Sequence, residues 1–331
     1  MSVLPSVSPA SVWQQFLSYS KPRAALPSHP SVLQRLLYGC AQPLLALRML
    51  ASNRVLLIDA LFPALMLAGF CALAALFHLR IGHLPDDEES LRAFGFWHRF
   101  YAAFAMLAPL PSILFAAHYA RLAATAYRQF AIGDCTPRRD PLFRSALHAL
   151  KQALVIAIAV APLVAVAAKV PLFGTALAAS LGALWALHWV VVEAFDSARV
   201  LPVSNEAPLT GSGPAPVPPT IPAAQVPEIW FVRACAHAGS RIPFIGFVLR
   251  WFASLCRYLA RPWQEEIALT EQHTVLMLGF AVMTALLLAT PILNLLFRPT
   301  IIIAAVHLLA HLPADPEADP EKVPSVPNAA R

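Results

Sequence analysis

Long apolar stretches separated by short polar clusters dominate this chain, and their length carries more information than any periodicity within them. Crossing a hydrocarbon layer about 30 Å thick takes roughly 20 residues of helix, because backbone groups in lipid must bond within their own segment. Six runs meet or approach that requirement. The first is residues 55–79, with Asp59 and Pro63 inside it, and the second covers about 100–120. Runs at about 148–168 and 172–195 predict a hairpin closed at Lys169 to Pro171 with almost no loop. A second hairpin follows, from 274–297 through a turn at Arg298 and Pro299 into 300–312. The sixth run is short for a full crossing, which predicts a half-helix that enters and stops. The expected fold is therefore all-α: a polytopic helical membrane protein with about six hydrophobic segments, in which two tight helical hairpins need only partly penetrate the bilayer.

Between the runs the chain divides further. Residues 1–54 form an N-terminal region and 55–201 carry membrane segments one to four, with the first hairpin at 148–195. Residues 202–227 are so rich in Pro, Ala, Ser and Gly that they predict an extended linker with no packed core. In 228–272, the aromatics Trp230, Phe231, Phe244, Phe247, Trp251 and Phe252 alternate with Arg233, Arg241, Arg250, Arg257 and Arg261. That mixture suits an amphipathic segment in the headgroup region, with these five arginines as lipid-binding residues, or a segment packed on the cytoplasmic ends of the bundle. Residues 273–312 hold the second membrane hairpin and 313–331 predict a disordered tail.

Composition agrees with the pattern: 58% of the 331 residues are hydrophobic and only 13% charged, against about 25% charged in soluble domains. Mean hydropathy is +0.63. The net charge of +6 would raise nucleic acid as a partner in a soluble protein, but here the basic residues sit between apolar runs, so no nucleic-acid partner is expected. Counting Lys and Arg by loop sets the orientation. Lys21, Arg23, Arg35, Arg48 and Arg54 precede the first run, while the loop after it holds Asp86, Asp87, Glu88 and Glu89. Arg121, Arg128, Arg138, Arg139 and Arg144 then fill the next loop, and the basic 228–272 segment fills the fourth. Every second loop is basic, which places both termini of a multi-pass membrane protein in the cytoplasm. The start of the chain lacks the basic-then-apolar order of a cleavable signal peptide. Its five cysteines include no CxxC pair, so neither a disulfide framework nor a zinc site is expected.

Two segments carry a family resemblance. Pro171 and Gly174 form a Pro-x-x-Gly turn, with Trp185 in mid-helix and Glu193 and Asp196 at its end. Later, Gly279 and Phe280 precede a Pro-x-x-Asn at Pro291 and Asn294, then Pro299. Over about 145–312 this resembles the CysZ and etoposide-induced 2.4 (EI24-like) superfamily. The aromatic and acid of that family's helix end survive as Phe195 and Asp196, while the pair after them is lost, and the Pro-rich linker lengthens the stretch between hairpins. The resemblance implies helical hairpins and, for the CysZ branch, a permease for a small anion such as sulfate. For the other branch it implies an organelle-membrane role without transport, so the alternative is a non-transporting membrane scaffold or a lipid- or partner-binding protein.

The polar residues add candidates. Asp59 lies one turn inside the first run, where a carboxylate can meet the positive end of the helix dipole. Glu193 and Asp196 are three apart on one helix face, with Arg199 three further on and able to pair with them at the surface. His307 and His311 are four apart, a spacing compatible with two ligands on one metal, but no local third ligand accompanies them and no metal site is expected. There is no nucleophile elbow, P-loop or HExxH, so no enzyme activity and no cofactor are expected. Broken helices at Pro171 to Gly174 and Pro291 to Asn294 offer free N–H groups to an oxyanion, which makes these turns, with Glu193 and Asp196, the candidate pathway residues. Expected partners are membrane lipid, a small inorganic anion and a second copy of the chain.

Overall fold

The computed structural model describes residues 9–21, 30–81, 95–100, 103, 114–130, 135–136, 147, 150–151, 154, 161–199, 201–202, 230–241, 246–290 and 295–312. Its principal elements are helices: α1 (Pro9–Tyr19), α2 (Val32–Ser52), α3 (Arg54–Ile81), α4 (Ala116–Gln129), α5 (Ala161–Ala167), α6 (Gly174–Ala198), α7 (Trp230–Arg241), α8 (Gly246–Ala260), α9 (Gln264–Gln272), α10 (Thr274–Ala289) and α11 (Phe297–His311). A 3-10 turn at Arg261–Trp263 joins α8 to α9. The exception to helix is a two-residue antiparallel pairing, β1 (Cys135–Thr136) with β2 (Leu201–Pro202).

Two described helices, Arg54–Phe77 and Gly174–Ala198, are long and apolar enough to cross a membrane. A third crossing is available if the bent pair Gly246–Gln272 and Thr274–Ala289 is one broken span. α3 corresponds closely to the first apolar run. It begins at Asn53, whose side chain caps both Val55 N–H (3.0 Å) and Leu56 N–H (3.3 Å). Its outer side exposes Ile58, Phe62, Leu65, Phe70, Leu73 and Phe77, each by about half its surface or more. Water would penalise such a face at about 25 cal/mol per Å² of apolar area, whereas lipid would not.

The core gathers around α11, whose thirteen residues from Phe297 to Leu309 are all buried. A helix apolar on every side is either a membrane span or enclosed by other helices, and α2, α4, α6 and α10 enclose this one. Arg298 and Pro299 lie in the first turn of α11 and not in a loop, where a proline costs no intrahelical hydrogen bond. The second run is described only in part, and α4 starts near its end. Arg121 and Arg128, expected in a loop, sit on exposed sides of α4 while Leu122 to Tyr127 are buried.

The N-terminal region contributes more than the apolar pattern indicates. α2 carries a capping box, Ser31 Oγ accepting from Gln34 N–H while Gln34 Oε1 accepts from Ser31 N–H. It then crosses α10 at very close range. A Cβ built on Gly39 would lie 2.0 Å from the Leu276 carbonyl oxygen, and one on Gly279 would lie 2.1 Å from the Leu36 oxygen. Only glycine lets the two backbones meet in this way.

The first hairpin closes through residues 168–173. Phe173 N–H donates to Pro171 O (2.8 Å) and Gly174 N–H to Val170 O (2.9 Å), with Leu172 held at φ 66°. A Cβ on Gly174 would stand 2.5 Å from the Ala168 carbonyl oxygen, so the return of α6 past α5 requires glycine there. A smaller cluster docks α7, α8 and α9 on the end of α6, with Trp189 and Trp263 edge to face at 5.4 Å and Val232, Cys256 and Ile267 around them.

Candidate functional site

The charges expected at helix ends and turns are instead used inside the bundle. Glu193, on the last turns of α6, meets Arg298, on the first turn of α11, across 105 residues of sequence. Nη1 donates to Oε1 at 2.7 Å and Nη2 to Oε2 at 3.1 Å, the parallel two-bond match that a planar guanidinium makes with a carboxylate. Arg298 is 7% exposed. Val190, Ala194, Ser197, Ile301 and Ile302 line a crevice beside the pair that is too narrow to admit water. Tyr119 of α4 lies within electrostatic reach of both charges.

Further along α11, His307 is fully buried and its Nδ1 lies 2.7 Å from Gln42 Oε1 of α2. With the amide oxygen as acceptor, that nitrogen carries the proton. Gln42 in turn donates through Nε2 to Tyr38 O at 3.2 Å, and Phe130 stacks obliquely on the imidazole at 4.8 Å. His311 donates from Nδ1 to the His307 carbonyl (2.8 Å), and the two imidazoles stack with centroids 4.2 Å apart. Stacked rings hold their remaining nitrogen lone pairs in parallel planes and do not aim them at one metal. Among the described residues no group of three metal-ligating side chains occurs.

A second charged cluster joins α6 to α9. Arg199 bonds Glu265 through Nη1 and Glu266 Oε1 through Nε at 2.8 Å. Glu266 is 2% exposed and its Oε2 has no hydrogen-bond partner. Burial raises its pKa to about 7; Arg199 opposes this, and Asp196 and Glu265 add to it. The folded-state pKa lies above the ordinary value of 4.5, so the neutral carboxyl is favoured by folding; its contribution is complete below pH 4.5 and is lost as pH rises through about 7. The melting temperature of the purified protein should therefore fall between pH 5 and pH 8, and Glu266→Gln should flatten that fall. A wild-type profile unchanged by Glu266→Gln would show that this carboxyl does not hold its proton.

The sequence candidates thus separate. Glu193 and Asp196 share a helix face, but Glu193 pairs with α11 while Asp196 lies within electrostatic reach of Glu266 on α9. Arg199, expected to pair with its own helix, bonds α9 instead. Pro171 is exposed in the turn, and the N–H of Gly174 is already spent on Val170, which leaves that donor closed to an anion. Pro291 and Asn294 lie outside the described residues, as do the 203–227 part of the linker and the 313–331 tail. Of the five arginines, Arg233 lies 3.7 Å from Glu271 on α9, and Arg241, Arg250, Arg257 and Arg261 are exposed. Residue-level reading missed Arg298, Gln42 and Glu266 as site residues. A lone Gln or Arg next to a long apolar run was the available signal. Comparison with protein-family models, with curated proteins and with solved structures finds no match to this chain.

Proposed function

We propose that this chain is a multi-pass protein of the bacterial inner membrane with about six hydrophobic segments, and that it acts as a CysZ-like permease for a small inorganic anion such as sulfate. One observation carries the reading: a buried arginine at the head of the enclosed helix α11, paired through its fork with the carboxylate of Glu193. The guanidinium fork that accepts a carboxylate fits a tetrahedral oxyanion equally well. An entering oxyanion would replace Glu193 on Arg298, and Glu193 would return as it leaves, so the arginine is never left unpaired in a low-dielectric site. Passage requires the crevice at Ser197 and Ile301 to widen.

Radiolabelled sulfate uptake into liposomes holding the purified protein tests this. Uptake above empty liposomes, reduced at least tenfold by Arg298→Lys at equal folded protein, is the expected result. A point-charge ammonium keeps the ion pair but loses the two-bond fork. Absence of uptake by folded protein would remove the permease reading. The closed crevice and the occupied Gly174 N–H favour a second reading, a non-transporting membrane scaffold, which predicts that outcome.

A further inference from the structure

α8 does two things at once, and its faces separate them. Gly246, Ala253, Cys256, Leu259 and Ala260 are buried, and the last four of these belong to or flank the tryptophan cluster against α6. The opposite side is exposed and is not uniform. At about 100° of turn per residue, Phe247, Trp251 and Tyr258 fall within about 40° of one another, and they are 72%, 59% and 66% exposed. Arg250 and Arg257 fall on one flank of that stripe, and exposed Arg261, in the 3-10 turn, continues their line. The helix therefore has three sectors: small and apolar against the bundle, aromatic, and basic. Neither α7 nor α8 contains an Asp or Glu.

The axis direction decides what such a helix meets. The Gly246–Gln272 rod and the Thr274–Ala289 helix are bent by 103°. If α10 runs along the membrane normal, the rod departs from the membrane plane by only about 13°, the lie of an interfacial helix.

We propose that the outer face of α8 is a docking surface for the anionic headgroup layer, with Phe247, Trp251 and Tyr258 seated at the acyl boundary and Arg250 and Arg261 on lipid phosphates. Charge complementarity selects the occupant: a basic flank without acidic residues, beside aromatics at an apolar span, matches phosphate above hydrocarbon. Arg233 is not part of this surface, since Glu271 takes it. The proposal rests on the chain being membrane-embedded, but not on its transporting anything.

The test uses the full chain in lipid nanodiscs, with a fluorescent amino acid incorporated at position 65 on the exposed side of α3 or at position 251 on α8. The probe at 65 should be quenched by nitroxide deep in the acyl chain, and the probe at 251 by nitroxide at the headgroup. Quenching at 65 with none at 251 by either lipid would overturn the docking surface alone. No lipid quenching at 65 would overturn the membrane reading and the surface with it. In parallel, retention of phosphatidylglycerol by the detergent-purified protein should weaken about 25-fold in the Arg250→Gln/Arg261→Gln double variant, at about fivefold per arginine. Unchanged retention, or equal retention of neutral phosphatidylcholine by the wild type, would overturn the assignment of these arginines to phosphate.

Discussion

Gly39→Ala and Gly279→Ala should each lower the stability of the folded protein by about 3 kcal/mol or more, the upper range for overpacking, because a single methyl group has nowhere to go. Contacts of 2.0 and 2.1 Å to carbonyl oxygens of the facing helix are more than 1 Å inside ordinary carbon–oxygen contact of about 3.3 Å. Those oxygens belong to helix backbone and cannot rotate away as a side chain would. α2 and α10 must part, and every contact along their crossing weakens together. The same separation relieves both clashes, so the double variant should cost less than the sum of the singles. Gly69→Ala serves as the control: nothing lies within 4 Å of its Cβ, and alanine is the better helix former. Thermal unfolding of the purified variants reads all four effects. Wild-type melting of Gly39→Ala would show that the helices do not cross at this distance.

Removing one partner of the Glu193 and Arg298 pair should cost about 3–5 kcal/mol, whereas removing both should restore most of that loss. In Arg298→Leu the Glu193 carboxylate keeps its enclosure and loses the guanidinium that pairs with it; in Glu193→Leu the guanidinium, 7% exposed, loses that carboxylate. In Glu193→Leu/Arg298→Leu neither charge of the pair remains, and two apolar side chains occupy the space between α6 and α11. A double-mutant cycle from unfolding data gives the coupling directly. Additive losses would mean that the two residues do not depend on each other. The rescued double variant also bears on function: a permease that uses Arg298 loses sulfate flux in it, and a scaffold loses nothing.

The elements legible in the sequence are those that lipid would have to solvate. α3 runs from Arg54 to Ile81 against an expected 55–79, and α6 from Gly174 to Ala198 against 172–195, because an outward-facing helix needs apolar residues all round. α2 and α4 escaped the same reading because protein, not lipid, covers much of them. Gln42 and Pro43 of α2 are buried among neighbours, and α4 uses small residues such as Ala123, Ala124 and Ala126 where a lipid-facing helix would use leucine. Arg48, Arg121 and Arg128 then interrupt the apolar count without interrupting the helix. The candidate site was half legible for a related reason. Glu193 stands out as an acid in an apolar run, but its partner lies 105 residues away, and Arg199 reaches 66 residues to Glu265. Local spacing suggested Arg199 as the neighbour of Glu193 and Asp196; tertiary packing sends each elsewhere.

Whether these helices lie in a membrane is read by flotation of native membranes in a density gradient after an alkaline carbonate wash. Such a wash strips proteins held at the surface by charge, while a chain whose α3 and α6 cross the bilayer rises with the lipid. The protein should float with the lipid fraction, including when Arg250 and Arg261 are replaced. Protein left at the bottom of the gradient, or released to the supernatant by the wash, would contradict it.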